Sequence, residues 1–547
     1  MRHDPISRRS FLRVSAVTAA AVGLDWNSIA AYASAVKPKT DYPTVIIGAG
    51  LGGLCCGAYL SRFGFPVTVV EQHSIPGGYA TSFDRSGGKF TFEVSLKATC
   101  IHNNSTAQIL RELGVLEKLQ LVELPEVVRI KGSDFEIGVR SRDPQALIAG
   151  LSERFPEEKD GIQRVVHEMI GIAEESQRTA QEKEKRDKTS AGDFPIRYPR
   201  MWNVKDKTLA DLLSGFVKNP LLQNVLAAQW GSHGLPPSRL SAFYYAVAFG
   251  ESLRNGSYYV KPRCQALSDA LAGAIESSGG KVVYGALAEK IMVKDGAVVG
   301  VALADRKTLP ARTVVSNGSA LVTLKKMLPR GSLPLPYLKK LEEYRPSISM
   351  FIVWLGLNKE LREKFRGYRY TVVSGQGPEA DYRYSLQGDV ERGSFGITFY
   401  DSLFEGYSKP GTSTLHLSFL SGYEPWRKFE TDYRAKRKQA YNREKERWTA
   451  VLIERAEKEL IPGLSSMIEE KESATPLTCW HFTRNTEGSI YGFEQALNNS
   501  YMNRIDNRTP VKGLYLAGAW GNPGGGYSGV LKSGRMTFGK IMEDWRG

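Results

Sequence analysis

The sequence predicts an α/β protein in which a Rossmann-like parallel sheet, assembled from distant parts of the chain, is interleaved with a second region of mixed sheet and helices. Three observations carry that expectation. Thr44-Val45-Ile46-Ile47, a short β-branched run, leads into Gly48-Ala49-Gly50-Leu51-Gly52-Gly53 and a helical stretch to about Phe63, which Gly64 stops. Pro66-Val67-Thr68-Val69-Val70 then reads as the next parallel strand, ending on Glu71. Near the far end, Gly513-Leu514-Tyr515-Leu516-Ala517-Gly518-Ala519 repeats the pattern of buried strand into glycine turn, and a helix through Met536 follows. A chain of 547 residues, 42% hydrophobic, has the length for two large lobes, each with its own core.

In front of the first strand stands Ser7-Arg8-Arg9-Ser10-Phe11-Leu12-Arg13, followed by a modest apolar run, Val14 to Leu24, and a small-residue site, Ala33-Ser34-Ala35. The run is too short to span a bilayer as a stable helix, which fits removal rather than anchorage. The arginine pair resembles a bacterial twin-arginine export signal. Such a route suits a protein that folds around its cofactor before export. Residues 1–40 are therefore expected to be signal and linker, and the protein to be exported to the periplasm, with room for membrane association.

The glycine motif gains meaning from its strand-helix-strand context. Gly48 allows the tight turn, Gly50 lets backbone approach a pyrophosphate, and Gly53 lets the helix pack closely on the sheet. The N–H groups at the helix start, around Leu51 and Gly52, then face phosphate oxygens. Glu71 is placed to accept hydrogen bonds from an adenosine ribose and to repel a 2′-phosphate. The distant return decides between NAD and FAD. Gly525, Gly526, Tyr527 and Ser528 open its helix, whose N-terminus suits the negative charge that develops at flavin N1 and C2=O on reduction. So many flexible residues are entropically costly unless they allow close approach to something. FAD is the expected cofactor.

With both ends read, the sequence resembles the flavin family of bacterial phytoene desaturases, carotenoid cis–trans isomerases and animal all-trans-retinol 13,14-reductase, with amine oxidases as more distant relatives. The resemblance runs over 41–547. It is carried by IIGAGLGGL at 46–54, VVEQHSIPGGYATSF at 69–83, GSHGLPPS at 231–238, SNGSA at 316–320, TRNTEGSIYGFEQ at 483–495 and GLYLAGAWGNPGGGYSGVLKSG at 513–534. It implies a glutathione-reductase-type FAD domain. Gly48, Gly50, Gly53 and Glu71 would hold the AMP half, and Gly77, Gly78 and Ala80 the pyrophosphate and flavin. Gly518 and 525–528 would hold the far half, with an adenine-side contact near Ala288. Leu51, Gly52, Gln72, Tyr79 and Ala519 complete the candidate set. Three departures stand out: Tyr79 where many relatives carry arginine, Phe92-Glu93-Val94-Ser95 in place of F-D-x-G, and Tyr259-Val260-Lys261-Pro262-Arg263-Cys264 in place of Y-P-x-G-G.

The domain order expected is a first FAD-binding part at 41–105, a helical substrate region at 106–260, a second FAD-binding part at 261–330, a substrate domain at 331–480 and a FAD-binding return at 481–547. Residues 207–226, 264–278 and 433–460 read as helices; 282–284, 348–355, 396–400 and 413–419 read as strands. Aromatic stretches, including Phe243-Tyr244-Tyr245, 365–373 and 399–407, suit a cleft that buries apolar ligand at roughly 25 cal/mol per Å². Tyr491, His233 in its constrained turn and His481, expected to end a strand leading back toward the flavin, are the catalytic candidates. Glu487 and Glu494 fall in the same family-like segment as Tyr491.

Together these features point to an FAD-dependent oxidoreductase that desaturates, saturates or isomerises an apolar small-molecule or lipid substrate at flavin N5, with a quinone or O2 as acceptor and room for peripheral membrane contact. An exported amine or amino-acid oxidase, with Lys261 and Arg263 pairing a substrate carboxylate, is the second reading. A non-catalytic flavoprotein binding subunit is the third. The net charge of +15 brings no nucleic-acid recognition motif with it. The five cysteines and seven histidines show no metal-ligand spacing, so no metal is expected.

Overall fold

A computed structural model describes residues 26–37, 39–95, 97–184, 193–365, 367–500 and 503–546. The arginine pair and the apolar run behind it lie outside these residues.

The parallel sheet has five strands, in the order Leu514–Leu516, Thr313–Ser316, Thr44–Ile47, Val67–Val70, Lys281–Val283. Every pairing is parallel. Its first and last chain segments are thus separated by one strand, Thr313–Ser316, and the turns that follow both lie at the same strand ends. Helix Leu51–Arg62 is buried almost throughout, because it packs on the sheet, on Gln265–Ser277 and on Tyr527–Arg546. That position explains its small residues: Cys55 and Cys56 are fully buried packing groups, and a Cβ at Gly534 would stand 2.5 Å from the Gly52 carbonyl oxygen.

A seven-stranded mixed sheet faces this unit, in the order Ile468–Ala474, Ser349–Leu357, Ser413–Ser421, Phe395–Thr398, Arg369–Val372, Glu126–Lys131, Glu136–Arg140. Tyr370 pairs parallel with Arg129, and the remaining pairings are antiparallel. One face packs on Gln439–Glu459 through Trp426, Trp448 and Phe419; the other is turned to the parallel sheet. The α/β class and the interleaving of the two sheets follow the sequence expectation.

Several boundaries differ. The helix expected over 207–226 is two, Leu209–Ser214 and Pro220–Leu226, because Gly215 caps the first and Pro220 starts the second behind an Asn219 cap. Likewise 433–460 divides into Glu430–Arg434 and Gln439–Glu459 around Lys436, whose φ is +62°. The expected linker contains helix Trp26–Ala35. Ile29, Ala33 and Val36 recur at helical spacing and are buried against the last helix, where the Tyr32 hydroxyl donates to the Trp545 carbonyl at 2.6 Å.

Candidate active site

The strand ends of the parallel sheet and the inner face of the mixed sheet enclose one elongated cavity of about 1050 Å³. Its parallel-sheet end is built from glycine turns. Gly48 has φ +94°, which favours glycine. Gly50 is extended, and its missing side chain matters for space: a Cβ there would stand 2.5 Å from the Asn317 amide nitrogen. At Gly52 the nearest atom would be the Gly518 Cα at 2.6 Å, and at Gly53 the Gly48 carbonyl oxygen at 2.5 Å. Gly53 N–H donates to Asn317 Oδ1 at 2.9 Å. Asn317 therefore joins the first glycine turn to the last. Sequence reading passed over it, although it lies inside the quoted SNGSA; the signal was a polar side chain just after a buried strand, opposite the glycine turn.

Asn317→Ala leaves the buried Gly53 N–H without its acceptor, a loss of about 1–3 kcal/mol. FAD affinity should fall by roughly tenfold or more, measured by titrating apoprotein with FAD and following flavin fluorescence.

The carboxylate of Glu71 closes the neighbouring strand, buried, and accepts from Ala49 N–H at 2.7 Å and His73 N–H at 2.8 Å. Burial raises its proton affinity and these donors oppose the rise. The spare oxygen lone pairs are where a ribose hydroxyl can donate. Gln72 and Ala288 line the same end, with Gln72 held by the Phe482 carbonyl and Arg484. Gly77 and Gly78 both have positive φ, and Gly77 N–H donates to Ala49 at 2.7 Å, so a second glycine turn lies against the first. Tyr79 and Ala80 line the cavity there, and the Tyr79 hydroxyl donates to the carbonyls of Gly488 and Ser489.

On the returning side, Ala519, Gly526 and Tyr527 line the cavity and helix Tyr527–Arg546 begins at its wall. Gly518 and Gly53 stand behind the lining as packing positions. Gly525 is buttressed by Tyr491, and its carbonyl accepts from the Tyr244 hydroxyl at 3.0 Å. Ser528 turns away, donating to the Cys100 carbonyl at 3.2 Å.

The catalytic candidates separate. Tyr491 lines the cavity, its phenol kept protonated by burial. His233 lies behind the lining, packed against Tyr244 and Tyr245; burial and then the Arg369 charge lower its pKa to about 4, so it is a neutral ring at physiological pH. His481 belongs elsewhere. The segment expected to be a strand is helix Pro476–Thr483, started by a Thr475–Thr478 capping box and Pro476, which places His481 on the outer surface beside Tyr433. Glu487 pairs with Arg427 and Glu494 with Arg239, so both are structural. Lys261 and Arg263 lie over the rings of Phe404 and Tyr407, away from the cavity lining, and are not placed to meet a substrate carboxylate there.

Residues 51–537, most of the chain, match the family model for flavin containing amine oxidoreductases. The chain belongs to that family. It is an FAD-dependent oxidoreductase, and its glycine turns, Glu71 and the returning helix are residues that fit FAD. Among relatives of this flavin family, prolycopene isomerase 2 of an Oncidium hybrid cultivar is 25% identical over 568 residues, covering 99% of this chain and 93% of that protein. The neurosporene-forming phytoene desaturase of Rhodobacter capsulatus is 25% identical over 511 residues, 90% of this chain and 92% of that one. All-trans-retinol 13,14-reductase of Danio rerio is 24% identical over 538 residues, 93% and 87%. An oxidoreductase structure from Methanosarcina mazei shares the fold at a TM-score of 0.59 and 17% identity, over 92% of this chain and all of that one. Residues 5–24 match the model of the twin-arginine translocation pathway signal sequence, so this family member carries an export signal.

Proposed function

We propose that this oxidoreductase desaturates, saturates or isomerises an apolar, unsaturated small molecule or lipid in the periplasm. The observation that supports this reading is the continuity of the cavity: it passes from the dinucleotide cradle into a chamber walled by Trp230, Met350, Ile352, Trp354 and Leu420. Bound FAD supplies the exchange of a hydride or electrons at N5.

The chain's own residues do the rest. The two glycine turns fix the dinucleotide against the parallel sheet, and the apolar walls exclude water and set which carbon of an extended substrate faces the ring. The Tyr491 hydroxyl, at the junction of cradle and chamber, is the candidate for holding a proton near that carbon. The catalytic candidates of the sequence reduce to this one residue.

An amine substrate fits the chamber less well. Lys97 and Arg369 line it, and cations with no carboxylate partner among the described residues oppose a protonated amine. A quinone or O2 takes the electrons, and the substrate enters from a membrane surface. No described helix is long and apolar enough to cross a membrane.

The test is anaerobic incubation of the exported, FAD-loaded protein with a carotenoid, a retinoid and a panel of primary amines, oxidised and pre-reduced. Loss of flavin absorbance with the carotenoid or retinoid, or a chromatographic shift in the polyene, supports the proposal. Reduction by amines alone, with hydrogen peroxide on re-aeration, overturns it.

A further inference from the structure

The inner face of the mixed sheet carries polar and charged side chains among its apolar ones. In register across it run Arg369, Thr398, His416 and Trp354, and one step along the strands Gly396 and Ser418 pair on the same face. Lys97, arriving from the turn after strand Phe90–Glu93, donates through Nζ to Ser418 Oγ at 2.7 Å. Its entry is possible because position 396 is glycine, where a Cβ would stand 2.7 Å from Ser418 Oγ and 3.6 Å from Lys97 Nζ. Arg369 Nη2 donates to Ser232 Oγ at 3.0 Å.

Lys97 and Arg369 thus line the chamber, and among the described residues neither has a carboxylate partner. Glu472, the acid further along the same row, is taken by Arg85 at 3.1 Å. Between Arg369 and Trp354 the buried Thr398 hydroxyl and both ring nitrogens of His416 have no hydrogen-bond partner among the described residues. Burial, then the charge of Arg369, draws the Lys97 pKa down to about 7. Two like charges facing one cavity with no carboxylate opposite them are costly and are relieved by an anion.

We propose that Lys97 and Arg369 form a carboxylate seat, so that the substrate is an apolar, unsaturated chain carrying a carboxylate rather than a neutral hydrocarbon. The proposal rests on the apolar-substrate reading above. The planar Arg369 fork and the Lys97 ammonium would share the two carboxylate oxygens, and the bound anion would set how far along the chamber the unsaturated carbons lie.

The test uses the FAD-loaded protein and isothermal titration with all-trans-retinoic acid, linolenic acid and the methyl ester of each. Each acid should bind about 10–100-fold more tightly than its ester. Lys97→Met and Arg369→Gln should each remove most of that preference while leaving ester binding and FAD content unchanged, and Lys97→Arg should retain it. The Lys97→Arg arm, with FAD content, separates loss of the seat from loss of folding. Equal binding of acid and ester, or a preference that survives both neutralising variants, overturns the seat and leaves the apolar-substrate reading standing. Binding of neither acid nor ester overturns both.

Discussion

Gly52→Val is expected to purify as a colourless protein that regains little FAD. A Cβ at position 52 would stand 2.6 Å from the Gly518 Cα, 2.7 Å from its nitrogen and 2.8 Å from Asn317 Oδ1. The first two are backbone atoms of a turn held by its own strand, Leu514–Leu516, so neither turn can yield without opening the sheet edge. Overpacking of this kind costs about 1–3 kcal/mol, and here the strain falls on the two turns that hold opposite halves of one ligand. FAD affinity should drop by up to about 100-fold, read as flavin fluorescence retained after gel filtration. Gly273→Ala is the matched control. It sits in helix Gln265–Ser277 with nothing within 4 Å of its added Cβ, and it should keep both colour and stability.

The cradle was legible because its signals are local. A β-branched run, glycines at fixed offsets and a carboxylate at the end of the next strand all lie within one strand-helix-strand unit, and the returning strand repeats the pattern. The N-terminal helix and the broken helices failed on the same kind of local evidence. Ile29, Ala33 and Val36 have helical spacing, but the stretch looked like linker because its partner, Trp545, is at the other end of the chain. Pro220 and Gly215 were visible as breakers and were outweighed by the apolar periodicity around them. His481 was misplaced because Trp480-His481-Phe482 has the composition of a strand, whereas the capping box at Thr475 and Thr478 decides for helix. The chamber was the least legible part. Arg369 sits in an aromatic stretch where the rings are the stronger signal, and Lys97 follows a strand far upstream. Cross-strand register sets Arg369 in the wall, and the turn after Phe90–Glu93 carries Lys97 to Ser418 on the same wall; both placements are fixed by tertiary contacts.

Glu93→Ala should lower the thermal midpoint by several degrees and release FAD, whereas Glu93→Gln should be tolerated and become relatively more stable as pH rises. Glu93 occupies the place where the resemblance leads one to expect a different backbone course, and the structure shows its use. Its fully buried carboxylate accepts from Cys264 N–H at 2.9 Å, Cys264 Sγ–H at 2.6 Å and the Tyr259 hydroxyl, while its own carbonyl accepts from Trp354 Nε1 at 2.7 Å. It therefore ties the strand leading to Val94, Ser95 and Lys97, all cavity-lining, to the start of helix Gln265–Ser277. Alanine takes the acceptor from the Cys264 N–H and the Tyr259 hydroxyl and leaves a void, about 3 kcal/mol or more. Burial dominates over the donors and raises the folded-state pKa above the ordinary 4.5. The native state then binds the proton more tightly than the unfolded chain, so this group's contribution to stability is greatest below 4.5, declines as pH climbs toward the raised value, and is flat beyond it. Glutamine cannot ionise and escapes that decline. The wild-type midpoint minus the Glu93→Gln midpoint, measured by calorimetry across this range, should become more negative with pH. A difference independent of pH would mean that Glu93 is ionised equally in both states and that the tie to Cys264 is made by a carboxylate already stabilised in the fold.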